Sequence, residues 1–84
     1  MATKDKYPVS PELDAELTTR FTYHAPAGDQ PDRYRFLRTA VYELAQLICA
    51  LCPESRERSL ALTKLEEVSM WSNASIARRE EPQS

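Results

Sequence analysis

The sequence is poor in the residues on which catalysis and metal binding depend. Its 84 residues include one histidine, one glycine and two cysteines. There is no Ser-His-Asp set, no carboxylate pair beside a base and no cluster of metal-ligating side chains, so we expect no enzyme activity, no catalytic residue, no metal and no cofactor. A formal charge of −2 gives no basic field for a DNA or RNA polymer, and any bound anion must be small and held by local arginines.

Long apolar runs are also missing. None approaches the roughly 20 residues that a membrane span requires, and no signal peptide is recognisable, so we expect no membrane partner and a cytoplasmic location. The 42% hydrophobic and 29% charged content is typical of a folded domain.

The two cysteines, Cys49 and Cys52, form a C-x-x-C motif followed by Pro53. Thioredoxin-type pairs lie at a helix N-terminus, where the helix dipole lowers the thiol pKa, whereas this pair falls at the end of a predicted helix. A zinc site needs four ligands, and the chain offers these two thiols and the distant His24. The pattern therefore favours reduced cysteines packed at a helix end.

A short first helix is predicted from a local start signal. Ser10 is placed as the N-cap and Pro11 at the first helical position, with acidic residues in the first turn. Leu13, Leu17 and Phe21 then follow at spacings of four. The helix is too short to be stable alone, so we expect it to dock on the rest of the chain, with Phe21 packing in the core.

Two longer helices are predicted at about 31–52 and 54–79. Before the 31–52 helix, Gly28 permits a positive φ and Asp29 is predicted as the N-cap. The second carries an apolar face with steps of four and three, comprising Leu37, Val41, Leu44, Ile48 and Leu51. The third carries a matching face of Ala61, Leu62, Leu65, Val68, Ser69, Ser72 and Ile76. Because the connection "CPESRERS" is short, the fold prediction is all-α: a short N-terminal helix plus a long antiparallel helical hairpin. The domain prediction is a flexible N-terminus over 1–9, one helical domain over 10–80 and a flexible tail over 81–84.

A second stripe on the same helices predicts self-association. Arg38, Tyr42, Ala45, Cys49 and Cys52 repeat the four-three spacing about 100° away from the first face. A two-helix hairpin has one inner side, so a second apolar side is buried elsewhere. The predicted homo-oligomer interface comprises Tyr42, Cys49, Leu60, Met70 and Trp71. An ordinary three-helix bundle with a few exposed rings is the alternative.

Two blocks of the sequence resemble a known family. "RFTYHAPAGDQPDRY" and "SRERSLALTKLEEVSMWSNASIAR" are similar to phage-encoded anti-CBASS sponge proteins, whose hairpin domain also occurs in anti-Thoeris sponges. The similarity covers roughly 20–79 and leaves the first nineteen residues unmatched. The resemblance implies a homohexamer in the infected bacterial cell that sequesters cyclic oligonucleotide second messengers, such as cGAMP, without cleaving them. Cyclic dinucleotides are the expected ligands, with cyclic trinucleotides at separate symmetry-related sites as a further candidate.

Residue chemistry suggests where such a ligand binds. A cyclic nucleotide offers flat bases, anionic phosphates and polar base edges, which call for aromatic planes, guanidinium groups and amides. In an antiparallel hairpin, the irregular "RFTYHAPAGDQPDRY" segment lies beside the end of the last helix. The predicted ligand-binding residues are Tyr23, His24, Gln30, Arg33, Arg38, Asn73, Arg78 and Arg79.

Each assignment has a structural alternative. His24 is also suited to holding the loop by hydrogen bonds, and Arg33 and Arg38 to surface ion pairs. Trp71 is better suited to an oligomer contact than to base stacking. For the whole chain, the alternative function is a helical-hairpin protein–protein interaction module with no nucleotide ligand.

Overall fold

A computed structural model describes residues 6–80. That part of the chain contains three helices and no strand: α1 (Pro11–Phe21), α2 (Gln30–Leu51) and α3 (Arg56–Arg79). The all-α prediction is confirmed. Residues 1–5 and the whole of the predicted tail over 81–84 lie outside the described residues, so the domain boundaries stay a prediction.

Side-chain caps set two of the helix starts. The Ser10 hydroxyl accepts a hydrogen bond from the Leu13 amide at 3.0 Å, which confirms the predicted N-cap of α1. At α3 the Ser55 hydroxyl accepts from the Arg58 amide at 3.0 Å. Because this cap fixes the first turn, α3 begins at Arg56, slightly later than the predicted 54.

The turn before α2 has the predicted residues at its key positions, but the Asp29 side chain does not cap the helix. Gly28 has a φ of 57°, the left-handed region that glycine enters without steric strain. Asp29 occupies the N-cap position, but its carboxylate makes no capping hydrogen bond. The carboxylate instead accepts a hydrogen bond from Arg33 Nε–H at 3.2 Å. Asp29 therefore lies at the predicted N-cap position, but its side chain does not cap the helix, because Arg33, one turn into α2, binds the carboxylate.

Helices α2 and α3 pack against each other along their length. At one end, the Gln30 side chain at the start of α2 donates to Glu80, just after α3, at 2.8 Å. At the other end, the Arg58 guanidinium donates to the main-chain carbonyl oxygens of Cys49 and Cys52 at 3.5 and 3.3 Å. Cys49 lies in the last turn of α2 and Cys52 follows the helix directly, so a side chain of α3 caps the end of α2.

The predicted inner face of α3 is only partly correct. Leu65 is buried, and the predicted positions that are half-buried are Leu62, Ser69, Ser72 and Ile76. Ala61 and Val68 are exposed instead, Val68 by 53%. The buried strip is narrower than predicted because α2 is the one helix that packs closely on α3.

Helix α1 is attached mainly through charge. Glu16 accepts two hydrogen bonds from the Arg79 guanidinium, at 2.8 and 2.6 Å, and also pairs with Arg20 one turn along α1 at 2.6 Å. Its apolar face stays largely open: Leu13 is 47% exposed and Phe21 82%. The expectation that Phe21 packs in the core is wrong for the single chain.

The single chain has almost no hydrophobic core. Leu65 is the one buried hydrophobic residue of the described chain, whereas fourteen large hydrophobic residues are exposed. The accessible surface is 7195 Å², against about 5,100 Å² for a compact monomer of this mass. The radius of gyration is 18.3 Å, against about 12 Å for a compact domain of this length. The fold is elongated, and its apolar surfaces are not covered by other residues of the described chain.

None of the helices in residues 6–80 is long and apolar enough to cross a bilayer.

Candidate functional site

A cleft of about 580 Å³ opens where the α1–α2 loop meets the last turns of α3. Its volume lies within the range of about 300–1,000 Å³ that is typical of small-molecule sites. All three helices and the loop contribute to its walls. The lining residues are Arg20, Thr22, Tyr23, His24, Pro26, Tyr34, Arg38, Met70, Asn73, Ala74, Ala77 and Arg78.

The helical repeat explains how α2 and α3 build two walls. The α3 lining residues Met70, Asn73, Ala74, Ala77 and Arg78 are spaced as i, i+3, i+4, i+7 and i+8, which places them on one face. Tyr34 and Arg38 are four apart on α2 and also share a face. Ala74 and Ala77 have short side chains, so they leave space in the cleft beside the longer side chains of α3.

Two tyrosine rings offer flat surfaces. Tyr23 is 82% exposed and lies at the mouth, whereas Tyr34 is half-buried in the α2 wall. A planar base stacks on such a ring with about 1–3 kcal/mol per base. The cleft therefore has one fixed ring in its wall and one exposed ring at its edge.

His24 is tied to the end of α1. Its Nε2–H donates to the main-chain carbonyl oxygen of Thr19 at 2.7 Å, one of the terminal carbonyls of α1 that have no partner within the helix. The bond leaves Nδ1 as the free ring nitrogen of the neutral tautomer. His24 thus holds the loop by a hydrogen bond, as the structural alternative predicted. It also lines the cleft.

Three arginines line the cleft, and they differ in whether a carboxylate of the chain pairs with them. Arg20 is paired with Glu16. Within residues 6–80, neither Arg38 nor Arg78 takes part in a salt bridge. Their guanidinium groups are thus available to an anionic ligand.

Three predicted ligand residues lie outside this cleft and are engaged within the chain. Gln30 is 8% exposed, and its side-chain oxygen accepts from the Ala27 amide while its nitrogen donates to Glu80. Arg33 forms a two-pronged pair with Glu80 and also binds Asp29. Arg79 holds Glu16. These contacts give the three residues a structural role within the chain. Their role in ligand binding stays a prediction.

The ion pairs shift the pKa values of the acidic partners. The Arg33 guanidinium, helped by the Gln30 amide, lowers the pKa of Glu80 from 4.5 to about 2. Arg79, with a smaller effect from Arg20, lowers the pKa of Glu16 from 4.5 to about 2. Both carboxylates are ionised at neutral pH, and both lie at the end of α3 that carries the cleft.

Asn73 brings an unsatisfied polar atom to the cleft wall. Its side-chain oxygen Oδ1 is buried, and no donor among the described residues reaches it. A buried acceptor without a partner costs about 1–3 kcal/mol. Packing within the chain therefore does not account for an asparagine at this position.

Tyr34 lines the cleft but was not among the predicted site residues. It lies four residues before Arg38, which was predicted, and on the same face of α2. That i, i+4 spacing was a signal that could have found it. Of the eight predicted ligand residues, the structure brings five together in the cleft: Tyr23, His24, Arg38, Asn73 and Arg78.

The residues predicted to form an oligomer interface are all exposed in the single chain. Tyr42, Leu60, Met70 and Trp71 are 62%, 45%, 61% and 65% exposed. Cys49 and Cys52 are free and exposed, so the expected packing of the two thiols is wrong for the single chain.

A second groove of about 340 Å³ runs between α2 and α3, and Arg38 lies in both this groove and the cleft. Tyr42 also lines it, so the groove connects the cleft to the exposed apolar side of the hairpin.

A family model described as the Acb2/Tad1 hairpin domain matches residues 13–77. The chain belongs to the Acb2/Tad1 hairpin-domain family. This is the family of the anti-CBASS and anti-Thoeris sponge proteins, and the predicted resemblance is confirmed. The match also includes residues 13–19 of α1, which precede the part of the chain predicted to be similar. It ends just before Arg78, so the last arginines of α3 lie outside the family pattern.

No curated protein and no solved structure matches the Acb2/Tad1-family chain.

Proposed function

We propose that the chain is a phage anti-defence protein that binds cyclic dinucleotides and holds them away from the effector of the CBASS immune system. The observation that carries the proposal is the cleft of this Acb2/Tad1-family chain, which combines aromatic rings, unpaired arginines and an unsatisfied amide. No chemical step is involved: the protein lowers the concentration of free messenger by binding it, and the ligand is released intact.

The cleft matches the parts of such a ligand. Arg38 and Arg78, which have no salt bridge in the described chain, supply charge for two phosphates from opposite walls. Tyr34 in the α2 wall and Tyr23 at the mouth supply stacking surfaces for two bases. Asn73 supplies hydrogen bonds to a base edge. His24, locked to α1, sets the position of the loop that carries Tyr23.

The active form in this proposal is a homo-oligomer, with a hexamer as the expected state. Helices α2 and α3 form its antiparallel hairpin, and the exposed apolar residues, among them Tyr42, Leu60, Met70 and Trp71, lie between copies. Support comes from the single chain itself, which exposes about 2,000 Å² more surface than a compact monomer of its mass. That excess is more than the roughly 800 Å² that a standard interface covers on one partner.

Further parts of the proposal follow from this mode of action. The protein works in the cytoplasm of the infected bacterium, where the messenger is made. Cyclic trinucleotides are candidate ligands of separate, symmetry-related sites. DNA, RNA and membranes are not among the proposed partners, because the net charge is −2.

Calorimetric titration with cyclic di-AMP, cyclic di-GMP and 3′,3′-cGAMP tests the proposal. Saturable binding of at least one of them is expected, followed by recovery of the intact cyclic nucleotide after the protein is heat-denatured. A linearised product would contradict sequestration, and the absence of binding to all three would contradict the ligand class.

A protein–protein interaction module is the second candidate, and the fourteen exposed large hydrophobic residues favour it. It predicts a monomer in solution and no response to any cyclic nucleotide. Light scattering combined with the same titrations separates the two functions.

A further inference from the structure

We propose that Arg20 is a third ligand-binding arginine of the cleft and that it binds the same phosphate as Arg78. The inference rests on the proposed function, since it assumes that an anionic cyclic dinucleotide occupies the cleft. It is argued from the two cavities that these arginines share and from the hydrogen bonds that Glu16 accepts.

Arg20 and Arg78 lie close together where α1 meets the end of α3. Both line the cleft. Both also line an adjoining concavity of about 360 Å³, whose other walls include Phe21 and Trp71. Arg38, in contrast, lines the cleft from α2 and does not line the concavity. Arg20 and Arg78 are therefore placed to bind one phosphate, and Arg38 the other.

Glu16 engages only one nitrogen of the Arg20 guanidinium. The Nε–H of Arg20 donates to Glu16 Oε2 at 2.6 Å, whereas Nη1 and Nη2 make no hydrogen bond within residues 6–80. These terminal nitrogens carry most of the donors of a guanidinium, in a rigid fork that fits phosphate oxygens. Because the group is rigid, the bond at Nε also fixes the plane of the fork. The Arg20 side chain is 52% exposed, so a ligand can reach it.

The pairing with Glu16 does not neutralise this part of the cleft. Arg79 also donates to the Glu16 carboxylate, at 2.8 and 2.6 Å, so one negative charge faces two guanidinium groups and the cluster keeps a net positive charge. Arg79 makes the larger contribution to lowering the pKa of Glu16 to about 2, and Arg20 the smaller. Arg79 therefore keeps α1 attached to α3 when Arg20 moves towards a ligand. With Arg78 beside it, Arg20 favours an anion here.

Calorimetric titration of the unaltered protein and Arg20→Gln at two salt concentrations tests the inference. The ligands are cyclic di-AMP, cyclic di-GMP and 3′,3′-cGAMP. For each ligand that the unaltered protein binds, Arg20→Gln should lower the affinity roughly 10- to 100-fold, because a hydrogen bond between two charged groups is lost. The salt dependence of the affinity should also become weaker, since one arginine fewer contacts a phosphate.

Arg35→Gln is the matched control. It removes the same charge and also breaks an exposed ion pair within a helix, in this case with Asp32 at 2.8 Å. Arg35 lines neither the cleft nor the concavity, so the control should leave the affinity within about 2-fold. The stoichiometry of each titration gives the fraction of protein that can bind, so unfolded protein is not mistaken for a change in affinity.

An unchanged affinity of Arg20→Gln would overturn the inference, and so would an equal loss in Arg35→Gln. A lower affinity with an unchanged salt dependence would also overturn it, because Arg20 would then act through the packing of α1 and not through its charge. In each of these cases the unaltered protein still binds the ligand, so the proposed function stands. If the unaltered protein binds none of the three ligands, both the inference and the proposed ligand class are contradicted.

Discussion

Replacing Tyr42 with glutamate should dissociate the assembly. Tyr42 lies on the exposed side of α2, with 62% of its surface accessible and its hydroxyl accepting a hydrogen bond from Gln46 at 3.3 Å. A fully buried aromatic residue removes about 150–250 Å² from water, so covering the exposed part of Tyr42 buries roughly 125 Å². At about 25 cal/mol per Å², this contributes about 3 kcal/mol per copy, or roughly a 100-fold change in the association constant.

The carboxylate adds a desolvation penalty of several kcal/mol where it has no buried partner. Tyr42→Glu should therefore be a monomer at concentrations where the unaltered protein is an oligomer. Light scattering after size-exclusion chromatography measures the mass directly. Thr39→Glu is the matched control, because it adds the same charge on the polar side of α2, at an exposed position near Glu43, and should leave the mass unchanged.

Thermal unfolding provides an independent check. If copies cover each other's apolar sides, the melting temperature of the unaltered protein rises with protein concentration, since association stabilises the folded state by mass action. A monomeric mass at every concentration, together with a concentration-independent, cooperative melt, would refute the argument from exposed surface.

Four further perturbations address the cleft and the packing of the helices. Tyr23→Ala should weaken cyclic dinucleotide binding roughly 10- to 100-fold by removing a stacking surface, and Arg78→Ala should do the same by removing a phosphate contact. Calorimetry at two salt concentrations distinguishes them, because salt weakens the contribution of the arginine and not that of the ring. Glu16 and Glu80 have pKa values of about 2 in the folded chain and 4.5 ordinarily, so their stabilising contribution is complete above pH 4.5. It is lost as the pH falls from 4.5 towards 2, and a pH series of melting temperatures should flatten in this range when both are changed to glutamine. Leu65→Ala should lower the free energy of unfolding by about 2–5 kcal/mol in denaturant titrations, and a loss below 1 kcal/mol would show that the α2–α3 contact is not the core.

Local signals predicted the elements of the fold well. Ser10 and Pro11 start α1 because the cap and the first turn are set by residues three apart. The positive φ of Gly28 is equally local, since one residue type enters that region without strain. The partner of the Asp29 carboxylate could not be predicted in this way, because it depends on which of two nearby donors the carboxylate binds.

The site was harder to predict because long-range partners decide which polar groups stay free. Gln30 and Arg33 have the chemistry to bind a nucleotide, but Glu80, about fifty residues away, engages both. Arg78 and Arg79 are adjacent and identical in type. One lines the cleft, and Glu16 on another helix binds the other. Sequence spacing alone does not predict which of the two arginines forms an ion pair and which stays available to a ligand.

The charged attachment of α1 has a consequence for affinity measurements. A single carboxylate, Glu16, held between Arg20 and Arg79, links α1 to the end of α3, and exposed pairs of this kind are weak and screened by ions. Backbone amides of α1 should therefore exchange with deuterium faster than those in the middle of α3, and faster still as salt is added. The loop with Tyr23 and His24 follows α1, so high salt disorganises one wall of the cleft as well as screening the phosphates. An affinity measured at high salt is then lowered both by screening of the phosphate contacts and by loss of order in the loop. The number of phosphate contacts derived from the salt dependence is therefore too high.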